Sequence, residues 1–211
     1  MAGMVATVPV IHPSDFTTVI ENPYLPLRAG TTFIYKSPDG SVVDTMTVTA
    51  TTRIIDGVRC VVVLDVTKSH GVLEERTEDY FAQDRTGNVW YFGEDVQNYK
   101  NGKLVGTAGS WRAGVHGAQP GVVMKAAPRV GDSYAEENAA GIAQDQAEVT
   151  GVGLSVTVPF GRFDEVVATR ETSPLEPKAL EEKYYAKGVG NILSVDKATG
   201  EREELTAVEK R

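Results

Sequence analysis

Two carboxylates, Glu75 and Asp79, fall on one side of a period-two run from Val72 to Gln83, in the set Leu73, Glu75, Thr77, Asp79 and Phe81. The opposite set carries Glu74, Arg76 and Glu78 in alternating charge, as a solvated face does. If the first set faces an interior, its carboxylates must be paired or hydrogen-bonded, or they keep their protons to higher pH. Either state suits general acid–base chemistry. His116 lies in Gly114-Val115-His116-Gly117, close to Trp111 and Arg112, and completes a candidate catalytic set of His116, Glu75 and Asp79. A solvated loop histidine is the ordinary alternative for His116. His12, before a proline, and His70, at a hairpin tip, read as bystanders.

Aromatic residues crowd the same region. Trp90, Tyr91 and Trp111, with Tyr185 farther on, are the candidate ligand-binding wall. A barrel core built from aromatics explains them equally well. Lys183 is a candidate partner for Glu75 or Asp79 across a lumen. The alternating polar sets of the later strands read either as lumen or, more ordinarily, as the solvent face of a sheet packed on one side.

Other chemistries lack their residues. No Gly-x-Ser-x-Gly elbow, His-Glu-x-x-His or Cys-x-x-Cys is present, and no glycine-rich loop opens a helix. No metal site and no cofactor are expected. Glu94-Asp95 is the carboxylate pair to test first for metal or base chemistry, although neighbours on a strand point to opposite faces. Asp84 with Gly87-Asn88 reads as a side-chain-stabilised hairpin, because the spacing does not complete a calcium loop. Cys60, the single cysteine, sits in an apolar run and reads as a small buried hydrophobe.

The elements that must position these groups are strands. In 211 residues the net charge is −8, which disfavours a nucleic-acid partner, and no apolar run approaches the length of a spanning helix. Pro9, Pro13, Pro23 and Pro26 make residues 1–28 an extended leader, followed by one β domain over 29–211. Asp-Gly and Asn-Gly turns punctuate ten to twelve short strands, and a Gly-rich stretch over 106–131 reads as one long loop. The fold expected is all-β, a mostly antiparallel meander forming a barrel or strongly curved half-barrel, with a two-sheet sandwich as alternative.

Three stretches carry a resemblance: Asn22-Pro23-Tyr24-Leu25-Pro26-Leu27 running on to Gly30-Thr31-Thr32-Phe33-Ile34-Tyr35, Asp84 to Asp95, and Lys183 to Gly190. With them the chain resembles a group of uncharacterised bacterial β-rich proteins. The resemblance implies no activity, and an envelope or secreted setting. The N-terminus shows no signal peptide, which leaves a cytoplasmic protein or an exported one given without its signal. The function expected is binding of a small, partly apolar or aromatic ligand in a barrel pocket, with oligomers open. The alternatives are a cofactor-independent isomerase, cyclase or lyase, and a structural envelope protein.

Overall fold

The computed structural model describes residues 11–210, so residues 1–10 of the expected leader lie outside the described residues. A short 3-10 turn (Pro13–Asp15) leads into β1 (Phe16–Thr17), and a first meander follows: β2 (Thr31–Lys36), β3 (Val42–Ile55), β4 (Val58–Ser69), β5 (Val72–Asp84) and β6 (Val89–Lys100). Smaller strands come next: β7 (Lys103–Gly106), β8 (Trp111–Arg112), β9 (Gln119–Met124), β10 (Ser133–Ala135) and β11 (Glu137–Asn138). A second meander completes the chain: β12 (Gln146–Val158), β13 (Gly161–Thr172), β14 (Leu180–Ala186), β15 (Gly190–Asp196) and β16 (Arg202–Lys210).

Turn chemistry explains the hairpins. Asp56-Gly57, His70-Gly71 and Asn101-Gly102 have positive φ at both residues. That backbone matches the twist of paired strands, and glycine supplies one of the two positions at no steric cost. The stretch 106–131, expected as a single loop, instead carries β8 and β9. Pro120 and Gly121 break its visible period, yet both are buried inside β9.

All pairings between these strands are antiparallel. The two meanders join where β16 pairs with β2, from Glu204↔Lys36 to Lys210↔Thr31. On the other side β9 pairs with β6 and β11 with β9, while β10 pairs with β12. Only Glu136 separates β10 from β11, so its backbone forms the seam of a sheet nearly closed into a barrel. Gly121 permits that seam: a Cβ there would lie 2.1 Å from the Glu136 carbonyl oxygen.

The apolar core draws on both meanders. Ile20 and Leu27, brought together by an isolated bridge, pack with Phe33, Val63, Met124 and Ile192. Asn22 locks this segment down. Its amide donates to the carbonyls of Gly87 (2.8 Å) and Lys125 (3.2 Å), and its oxygen accepts from the N–H groups of Tyr24 and Leu25. A second cluster lies on the other face of the wall, where Cys60, Tyr80, Phe92 and Ala113 are covered by Ile11 and Phe16. Cys60 is fully buried there, and burial pushes its thiol up to about 12. Among the described residues no helix is long and apolar enough to cross a membrane.

Candidate functional site

A cavity of about 420 Å³ occupies the lumen. Its apolar wall is Leu25, Met46, Phe81 and Val123, all of which also pack against the core cluster. Most of the remaining lining is carboxyl groups, with Tyr35, Tyr91 and Tyr185 among them. The first meander contributes Asp44 from β3, Asp65 from β4, and Glu75 and Asp79 from β5. The second contributes Glu171 from β13, Glu181 from β14 and Glu203 from β16. Glu136, Glu137 and Asp145 come from the seam. Lys183 is the single cation among the described lining residues.

Burial and mutual repulsion raise the pKa of many of these acids. Asp79 is half-buried, and loss of water pushes it up to about 7, against one hydrogen bond from the Tyr91 hydroxyl (2.6 Å) that favours its charge. Asp44 and Asp65 hydrogen-bond to each other across β3 and β4. Burial drives both up, Asp44 to about 9 and Asp65 to about 6, so the pair shares a proton. The Thr67 hydroxyl donates to Asp44 Oδ1 at 3.3 Å. Glu203 is raised to about 7 by burial and by Asp44. A proton-sharing pair offers an acid and a base side by side.

A second carboxyl pair stands at the seam. Glu94 is raised to about 9 by burial and by Glu137, and the two carboxyls hydrogen-bond. Glu137 is itself raised by burial and Asp145, while the Trp111 indole N–H favours its charged form. That N–H, on a side chain only 4% exposed, has no acceptor in hydrogen-bonding geometry. The Tyr134 hydroxyl, on β10, is likewise buried without a partner. Among the described residues no group of three or more His, Cys, Asp or Glu side chains is arranged to hold a metal ion.

Lys183 does not reach Glu75 or Asp79. Its Nζ lies 2.5 Å from Glu171 and 3.4 Å from Glu181. In the β13–β14 register Lys183 faces Thr169 and Glu181 faces Glu171, so the ion pair forms between wall neighbours and not across the lumen. Burial works against the lysine's charge, and the two carboxylates outweigh it, holding its pKa well above the usual range.

The structure sorts the expected site residues. Glu75, Asp79, Tyr91 and Tyr185 line the cavity. Trp111 stands behind Tyr91, edge to face with ring centroids 5.5 Å apart. Trp90 lies elsewhere: it packs against Phe16 on the opposite face of the wall and donates from Nε1 to Asp84 Oδ2 at 2.8 Å. Asp84 also accepts from Thr86 and Asn88, as a side-chain-stabilised hairpin requires. His116 is exposed in the β8–β9 connection, at φ 51, and does not line the cavity. Of Glu94 and Asp95, Glu94 turns to Glu137, while Asp95 accepts from Arg112 and the Tyr80 hydroxyl on the other face.

Sequence reasoning missed Asp44, Asp65 and the seam acids. A signal for the first two exists: Asp44 shares a face with Met46 and Val48, and Asp65 with Val61 and Val63. An acid interrupting a buried apolar face has to be satisfied. Tyr91 and Glu94 both turn inward although three residues apart, because the β5–β6 register shifts between Asp79 and Phe81. Gly93, at φ 126, lies in that irregularity, and a Cβ on it would meet the Trp111 carbonyl oxygen at 2.3 Å.

No protein-family model matches the chain, and no curated protein matches it. That agrees with its resemblance to proteins of no established activity. Two solved structures are similar. One, from Bacteroides fragilis NCTC 9343, is described as a "putative exported protein with YmcC-like fold"; it is 13% identical over 89% of this chain and 99% of that one, with a TM-score of 0.49. The other, a "putative lipoprotein" from Parabacteroides distasonis ATCC 8503, is 15% identical over 88% of this chain and 97% of that one, with a TM-score of 0.46.

Proposed function

We propose that the barrel binds a small organic cation, an amine with an apolar body, in its lumen. The observation that carries this reading is the charge of the cavity, where ten carboxyl groups face one lysine. Carboxyls crowded out of water either hold protons or need a counter-charge. An ammonium group supplies that charge, and Leu25, Met46, Phe81 and Val123 supply apolar contact for the rest of the molecule. Tyr91 and Tyr185 add ring faces, which attract cations. The volume suits a ligand of modest size.

Calorimetric titration with butylamine and benzylamine, against butyrate and butanol as matched anion and neutral probes, tests it. Saturable binding of the amines alone is expected, weakened by Asp79→Asn. Binding of butyrate in preference to butylamine, or of no amine at all, would overturn the reading.

A further inference from the structure

The lumen does not end at its own wall. A second cavity of about 250 Å³ adjoins it, and Glu137, Asp145, Glu171 and Glu181 line both. Glu94 lines the second cavity alone. Carboxyl groups therefore run without a break from Asp44 and Asp65, past Lys183, to the Glu94–Glu137 pair. Lys183 stands at the junction, and both of its ion-pair partners belong to both cavities. The protein's own side chain thus shows how an ammonium sits on this path.

An independent observation stands at the Glu94–Glu137 end. The Trp111 indole N–H is buried, faces Glu137 and has no acceptor. A buried donor left unpaired is costly and calls for an explanation. Glu94 and Glu137 stand side by side, and burial, with Glu137 beside Glu94 and Asp145 beside Glu137, favours their protonated forms. An ammonium between them favours both carboxylates, releases any proton they hold to solvent, and gives the indole N–H a charged acceptor.

We infer that the ligand is an elongated aliphatic di- or polyamine, with one ammonium among Asp44, Asp65 and Asp79 and another in the second cavity between Glu94 and Glu137. This deepens the organic-cation reading and rests on it. A compact monocation meets one end of the path and leaves the other uncompensated. A chain of methylenes between ammonium groups meets both ends at once.

Calorimetry with spermidine, 1,4-diaminobutane and butylamine separates the two claims. Spermidine should bind about ten-fold or more tightly than butylamine, because its second contact is made without a second loss of free motion. Glu94→Gln, which keeps the shape of the side chain, should shrink that advantage. In a Trp90→Phe background, spermidine should shift the emission of Trp111 and butylamine should not. Equal affinities for spermidine and butylamine, or an unchanged ratio in Glu94→Gln, would overturn the elongated ligand and leave the organic cation standing. Failure of all three amines to bind would overturn both.

Discussion

Tyr91 donates its hydroxyl hydrogen bond to Asp79 at 2.6 Å, from the neighbouring strand and at the wall of the cavity. It is the one contact that pulls the Asp79 pKa down, against burial and the nearby carboxyls of Glu137 and Glu75. Tyr91→Phe keeps the ring and removes the donor. The Asp79 pKa, about 7 in the parent protein, should then climb by about one pH unit, read by NMR of labelled carboxyl carbons. An unchanged titration would show that the hydroxyl does not govern this carboxyl.

The lumen acids set an unusual pH dependence of stability. Asp44 titrates at about 9, Asp79 and Glu203 at about 7, and Asp65 at about 6. In the unfolded chain all four titrate near 4. Between those limits the folded protein binds more protons than the unfolded chain, so stability falls as pH rises. Asp39, held at about 2, and Asp84 and Asp95, also lowered, act in the opposite sense, and their contribution is lost in acid. Tm should be highest near pH 4 to 5 and roughly 5 °C or more lower at pH 8. A Tm that rises from pH 5 to 8 would contradict this.

Cation binding should run the same linkage in reverse. An ammonium in the lumen favours ionised carboxyls, so butylamine binding at pH 7 should release protons. Titrations in phosphate and in HEPES, which differ in ionisation enthalpy, should then give different apparent heats. Identical heats would mean that the ligand does not meet the protonated acids.

Lys183 and Glu171 form a pair in which the glutamate side chain is 6% exposed. Lys183→Met removes the charge and leaves Glu171 buried without its partner, at a cost of about 3 kcal/mol. Adding Glu171→Gln should recover most of that loss. Urea denaturation of the two variants measures both steps, and a fully stable single variant would show that Glu171 takes up a proton at little cost.

Asn22→Ala deletes four hydrogen bonds from a residue 1% exposed and frees the segment that carries Leu25 to the cavity. The carbonyls of Gly87 and Lys125 lose their donor. A loss of about 2–3 kcal/mol is expected in denaturant. Because Leu25 lines the lumen, butylamine binding should weaken as well.

Much of this architecture could be read from residues near one another in sequence. Glycines after Asp56, His70 and Asn101 fix hairpins, and alternation puts Glu75 and Asp79 on the inner face. Barrel closure could not be read that way. Glu171 and Glu181 meet Asp79 in one cavity only because β16 finds β2 and β10 finds β12. The β5–β6 irregularity hides Glu94, since counting by twos from Tyr91 sends it to the wrong face. Trp90 misleads for the opposite reason: it is aromatic and sits beside Tyr91, yet the pleat turns it to Asp84 and Phe16.

The division into two meanders also bears on how the chain assembles. Each meander zips from local hairpins, whereas β16 and β2 lie far apart in sequence and meet only after a long loop is closed. Asp44, Asp65, Glu75 and Asp79 ride on one half, and Glu171, Glu181 and Glu203 on the other. The repulsion of Glu203 with Asp44 and Asp65 is therefore absent while the halves form and is added, to that already within the first half, when the ring shuts. Closure becomes the electrostatically opposed step of folding, faster in mild acid and slower as the carboxyls ionise.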